Sequence, residues 1–273
     1  MWRTGTNFFA WLCYNENVER RIRVEVKKVL SLLMLSTAII GVGKVKAESN
    51  SEIYYTNPNG ISLTEKEYNL TKTMFDEHFL EIMNQDDYDF INRLNVNNNN
   101  VEVTVKEPDY IQTRNSSFVE TQAKRLAISK SCSGSVCTMA MTNTWKYEPK
   151  VKSYDVIGAM FSNTSLYGDG YATVWKIDGT NYRCTEYVLA SDGIGCSYKL
   201  NSSASEEIYT YMTFDVYTAG LVYGSYQHAG STVTLSQSKN YRFDINGYGN
   251  VFIFNTTKAR NAYDGMGGVS ISV

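Results

Sequence analysis

His228 lies in GSYQHAG, with Gly224 and Gly230 on either side. Glycines there imply a turn, where an imidazole could act as base for a Ser or Asp nucleophile. A quieter part is available to the same residue, because a hydrogen-bonded histidine that braces a turn has the same neighbours. No G-x-S-x-G elbow is present to supply the serine. His78, the other histidine, sits in DEHFLE, which is not the H-E-x-x-H of a zinc protease. Asp215, Glu186 and Asp244 fall on strand-like runs. Two of them brought within about 5–10 Å would make a glycosidase pair. Solvent-facing acids on half-exposed strands have the same appearance in sequence.

Aromatic residues offer binding rather than catalysis. Of 21 tyrosines, 20 follow Ala47. In EEIYTYMTFDVYT, Ile208, Met212, Phe214 and Val216 alternate with Tyr209, Tyr211, Thr213, Asp215 and Tyr217. If the first set faces a core, Tyr209, Tyr211 and Tyr217 form an outward platform on which sugar rings or a partner surface could stack. These three tyrosines and His228 are the expected binding residues. No catalytic residue, metal ligand or cofactor is assigned. The acids in GDG, IDGT, SDGIG and YDGMGG come singly with glycine after them. Turns explain them better than calcium loops, which need about six to eight oxygens.

Four of the five cysteines lie beyond residue 100: Cys132, Cys137, Cys184 and Cys196. An even number suits disulfides in an oxidising compartment. Of the three possible pairings, the local one is expected. SCSGSVC has hairpin-tip spacing, and two strands folding about Ala190 would oppose Cys184 and Cys196. A zinc site made by all four is disfavoured, because no C-x-x-C is present.

Elements follow from hydrophobic period. In SLTEKEY, Thr64 and Glu67 make a capping box. Tyr68, Phe75, Phe79 and Ile82 then recur at helical spacing, with Met83 beside them. Asn84 and Gln85 break that helix, and DDYDFINRL gives a second, so a helical hairpin is expected. NVNNNN, residues 95–100, is a linker by composition. Beyond it, short runs rich in Val, Ile, Thr, Tyr and Phe alternate with Gly, Asn, Asp and Ser, which is strand chemistry. Ten to thirteen strands are expected between Val101 and Val273, with no helix among them. In CTMAMTNTWKY, Cys137, Met139, Met141, Trp145 and Tyr147 share one face. A Cys132–Cys137 bond would set Leu126 and Ile128 of KRLAISK against Met139 and Met141. Asp178-Gly179 and Asn246-Gly247 are hairpin turn signals. CTMAMTNTWKY and TVTLSQS…VFIFNTT also carry the small-polar and apolar alternation of membrane-inserting hairpins, although soluble sandwich strands share it.

KKVLSLLMLSTAIIGVGKVKAES has the layout of a secretory signal: a basic flank, an apolar core at Val29–Val42, and Val45-Lys46-Ala47 before a cut. Fourteen residues reach only about 21 Å as a helix, short of a hydrocarbon core of about 30 Å. Anchoring through Val29–Val42 is the alternative. Residues 1–24 are too long and mixed for the start of such a signal, so the gene start reads as over-extended. Eight of 26 basic and three of 28 acidic residues precede Glu48, so the remainder nets −7. That balance argues against nucleic acid, whose phosphates demand Lys and Arg, and against charge-driven attraction to anionic lipid.

The KK-led signal, the NGISLTEKEY helix start, the SYDVIGA strand and the YGSYQH segment together resemble secreted, functionally unassigned β-rich proteins of Gram-positive bacteria. The resemblance implies secretion and a β-rich body, and it brings no catalytic residues.

The sequence thus predicts a mainly β fold, an antiparallel β-sandwich or jelly-roll-like body over 101–273. A helical hairpin and Asn-rich linker over 64–100, a flexible lead over 48–63 and a signal peptide over 1–47 precede it. The expected function is non-enzymatic: a secreted, extracellular protein that binds a glycan, a cell-surface component, a host or a competitor. A membrane-active toxin and a carbohydrate-active hydrolase are the alternatives.

Overall fold

The structure, a computed structural model, describes residues 52–107, 124–202, 208–245 and 249–273. The signal-like segment and its Val29–Val42 core lie outside the described residues, as does the Asn246-Gly247 turn. The described residues belong to one unit, Ser51–Val273.

Two antiparallel sheets face each other. The larger contains β3 (Val101–Lys106), β4 (Lys124–Ser133), β5 (Val136–Trp145), β7 (Leu166–Ile177), β8 (Thr180–Arg183) and β11 (Ile208–Tyr217), in the order β3-β4-β5-β11-β7-β8. The smaller contains β6 (Tyr154–Ser162), β9 (Tyr187–Ala190), β10 (Gly193–Lys199), β12 (Leu221–Gln227) and β15 (Val269–Ser272), in the order β15-β12-β6-β10-β9. The body is therefore a β-sandwich, as the short alternating runs predict. Its interior holds Ile128, Met139, Met141, Met212, Phe214, Ile157 and Ile194. Cys132 opposes Cys137 and Ile128 opposes Met141, the register that the alternation and the cysteine spacing require together. Asp178 and Gly179 have φ of 48° and 76°, so both residues of the β7–β8 turn are left-handed, the geometry of a two-residue primed turn.

Each sheet is covered on its outer side as well. Over the larger one lie three helices, α1 (Glu65–Met74), α2 (Glu77–Ile82) and α3 (Gln85–Asn92), with the small hairpin of β1 (Tyr55–Thr56) and β2 (Ser62–Leu63). The expected hairpin of two helices is thus three. The break comes at Asp76, whose side chain accepts from Phe79 N at 2.9 Å and starts α2 as an N-cap. The carbonyls freed at the end of α1 go to the sheet. The Arg125 guanidinium donates to Met74 O at 3.0 Å, to Phe75 O at 2.9 Å and also to Thr73 O. A helix end is free to stop where a cation meets its last carbonyls.

The lead expected to be flexible is pinned from Tyr55 onward. Asn57 Nδ2 donates to Leu80 O at 3.1 Å and Met83 O at 2.7 Å. Within the Asn-rich linker, Asn97 accepts from Thr64 Oγ1 at 2.8 Å and donates to Glu67 at 3.0 Å, so it braces the capping box of α1.

On the outer side of the smaller sheet, β13 (Tyr241–Phe243) pairs with β14 (Phe252–Phe254), and α4 (Leu235–Ser238) and α5 (Thr257–Ala262) flank them. No helix was expected there. TVTLSQS supplies α4 through a Thr234–Gln237 capping box, and both are too short for a hydrophobic period to show. Glycines admit this layer. A Cβ on Gly195 would stand 2.4 Å from the Tyr241 hydroxyl, and one on Gly193 would stand 2.4 Å from the Phe243 ring. The SDGIG run is therefore both a turn and a landing strip for aromatic side chains.

Candidate functional site

The expected tyrosine platform divides in two. Tyr209 and Tyr211 do lie opposite the core-facing Met212 and Phe214, as the alternation requires, but that side of β11 is roofed by the helices. They are 3% and 1% exposed. Phe79 meets Tyr209 edge-on at 4.9 Å, and Phe90 lies 4.6 Å from Tyr211. The sandwich here has more layers than an alternating strand reveals, so an outward face became a second core.

Polar contacts fasten the roof. Tyr209 Oη donates to Asp76 at 3.1 Å. Asp87, the N3 residue of α3, accepts from Asn84 N at 2.8 Å, from Asn181 Nδ2 at 3.1 Å, from Tyr211 Oη and from Lys176 Nζ at 2.8 Å. Burial, then the Asp87 charge, pushes the Tyr211 phenol far up, so it stays a donor. These two tyrosines are buried where the helical layer meets the sheet, and both bond to its carboxylates.

Tyr217 is the platform residue that reaches solvent. It ends β11 beyond the helices and is 45% exposed. Beside it stands Tyr167 of β7, 44% exposed, with ring centroids 5.3 Å apart and the planes at 89°. Thr164 Oγ1 donates to Tyr217 O and fixes the end of the strand. Tyr167 was not singled out from sequence, because LYGDGY reads as a turn rather than as the start of a long strand. The bulge in the β11–β7 pairing, between Phe214 and Val216, brings Leu166 opposite Val216 and so sets the two rings side by side.

His228 is enclosed between the sheets. Its Nδ1 is 2.9 and 3.0 Å from the two Asp155 oxygens. Asp155 also accepts from Ala229 N at 3.2 Å and from the Tyr226 hydroxyl. Tyr226 in turn accepts from Trp145 Nε1 at 3.0 Å and from Tyr198 at 2.9 Å. The Trp145 ring meets the imidazole edge-on at 4.8 Å. Burial disfavours charge on His228, but the Asp155 charge and hydrogen bond outweigh it and hold its pKa above 6.5. Burial, then Asp155, also raises the phenols of Tyr198 and Tyr226 well above 10.0. His228 is 1% exposed, so the segment expected as a turn holds its ring inside the protein. β12 extends to Gln227, and a bridge between Ala229 and Tyr263 closes the chain over the ring. Asp155 was legible as the lone acid in SYDVIGA.

Each candidate glycosidase acid meets a cation of its own. Asp215 faces Arg93 at 3.7 Å, Glu186 pairs with Lys239, and Asp244 pairs with Arg242 at 2.8 Å. Cys132 is bonded to Cys137 and Cys184 to Cys196. Among the described residues, no group of three or more His, Cys, Asp or Glu could hold a metal ion. No helix among the described residues is long and apolar enough to cross a membrane.

No protein-family model matches the chain, and no curated protein matches it. Several solved structures are similar in part, among them the following three. The pilus backbone RrgB of Streptococcus pneumoniae aligns at 9% identity and TM-score 0.26, over 35% of this chain and 25% of its own. The KRT10-binding region domain of the pneumococcal serine-rich repeat protein PsrP aligns at 11% identity and TM-score 0.27, over 46% of this chain and 84% of its own. The collagen-binding domain of the Erysipelothrix rhusiopathiae surface protein RspB aligns at 6% identity and TM-score 0.28, over 56% of this chain and 64% of its own. The chain spans only a quarter of the pilus backbone, and none of these likenesses carries an argument about activity.

Proposed function

We propose that this chain is an exported, non-enzymatic binding protein that holds a cell-surface glycan at the end of its larger sheet. The observation that carries the reading is the exposed Tyr167–Tyr217 pair. Two rings at right angles offer one flat face and one edge, and each ends in a hydroxyl. A sugar ring stacks its C–H face on tyrosine and hydrogen-bonds the polar tip. The site stands on long paired strands, so little order has to be gained when a ligand arrives. Two disulfides and the secretory layout of residues 27–49 support an extracellular location.

The test is a glycan array probed with the folded protein, followed by the Tyr167→Ala/Tyr217→Ala double variant. The reading expects a restricted set of glycans whose signal disappears in the variant. Liposome leakage by the wild-type protein would instead favour the membrane-active alternative, and glycan cleavage on the array would favour the hydrolase.

A further inference from the structure

We propose that Lys124 and Asp264 are the two halves of an intramolecular amide crosslink. Lys124 opens β4, and Asp264 lies in YDGMGG, between α5 and β15. The two are 140 residues apart in sequence. Lys124 Nζ contacts Asp264 Oδ2, with the side chains 0% and 8% exposed. The amine lies over two aromatic rings, 5.6 Å from the Trp145 centroid and 5.2 Å from that of Tyr226. The backbone N–H of His228 faces the other oxygen, Oδ1, at 3.4 Å.

An ammonium and a carboxylate pressed together away from water are expensive as ions. Transfer of one proton within the pair gives a neutral amine and a neutral carboxylic acid, which are the nucleophile and electrophile of amide formation. Nζ attacks Cγ, and the C–N bond forms as the C–Oδ2 bond breaks. The nitrogen gives up its proton to the departing oxygen, which leaves as water, and Oδ1 remains as the amide carbonyl. One water is lost, and no oxidant or reductant is required.

A second buried lysine–aspartate pair shows what sets this one apart. Lys176 and Asp87 are also both 0% exposed and 2.8 Å apart. Asp87, however, takes three further donors from Asn84, Asn181 and Tyr211, and Lys176 has a second acceptor in Asn181 at 3.0 Å. Each of those bonds stabilises the ions, and an anion resists attack by an amine. Around Asp264, the Tyr226 hydroxyl and His228 Nδ1 turn to Asp155, and the further contact to its carboxyl is the His228 N–H at 3.4 Å. A link between residues 124 and 264 would tie the start of β4 to the approach to β15. It would close a far longer loop than the disulfides, whose separations are 5 and 12, and so constrain the unfolded chain more.

The test is a tryptic map of the folded, reduced protein with accurate mass. The proposal expects no cleavage after Lys124, and a branched peptide joining the Lys124 and Asp264 segments that is lighter than their sum by one water. Lys176→Met should keep that peptide, and Lys124→Met should abolish it. Recovery of both segments as separate peptides of full mass from the wild-type protein overturns the proposal, whether or not the variants fold. So does a water deficit that persists in Lys124→Met.

Discussion

Tyr211 of β11 donates a hydrogen bond to Asp87 of α3, and this contact joins the helical layer to the sheet. Lys176 meets the same carboxylate from β7. The two contacts explain why a face that reads as outward is closed. The helices, of 10, 6 and 8 residues, are too short to stay folded alone, and they dock through aromatic packing and a few charged bonds that leave Asp87 fully partnered.

Breaking that bond should unfasten the layer. Asp87→Ala leaves the Lys176 ammonium buried without its counter-ion, and loss of one partner of a buried pair costs about 3–5 kcal/mol. Lys176→Met should cost less, because Asp87 keeps its contacts with Asn84, Asn181 and Tyr211. Urea unfolding curves check both, and equal losses would show that the carboxylate is not the hub.

Disulfide removal should follow loop length. Closing loops of separation 5 and 12 is worth about 2 and about 3 kcal/mol in chain entropy. Replacing Cys184 and Cys196 should therefore lower the thermal midpoint more than replacing Cys132 and Cys137. Calorimetry of the two double-Ala variants reads the order.

The His228–Asp155 pair makes stability depend on pH in a stated direction. The folded pKa of His228 is raised above 6.5, mainly by Asp155 working against burial. Its contribution is therefore fully present below pH 6.5 and is lost as pH rises through the raised value. The unfolding free energy of His228→Gln, measured across that window, should lack this slope. An identical slope in the variant would assign it to another group.

Much of this architecture was legible in sequence, and the illegible parts share one cause. Alternation over Ile208–Tyr217, the Cys132–Cys137 register and the Asp178-Gly179 turn are local signals, and each appears as read. Period two reports which residues share a face but not what covers it, so Tyr209 and Tyr211 were placed outside while the helices buried them. Lys176 was the available clue, because a lysine sharing a strand face with Val174 demands a partner charge. Tyr167 and Asp264 were hidden for a different reason. Their partners, Tyr217 and Lys124, are distant in sequence, and only the folded sheets bring them together.

The glycan-binding site is tested most directly by array binding of wild type against Tyr167→Ala/Tyr217→Ala, with the thermal midpoints of the two matched. The account predicts selective binding by the wild type and its loss in the variant, at unchanged fold. Binding that survives removal of both rings, or a wild type that retains no glycan at all, would contradict it.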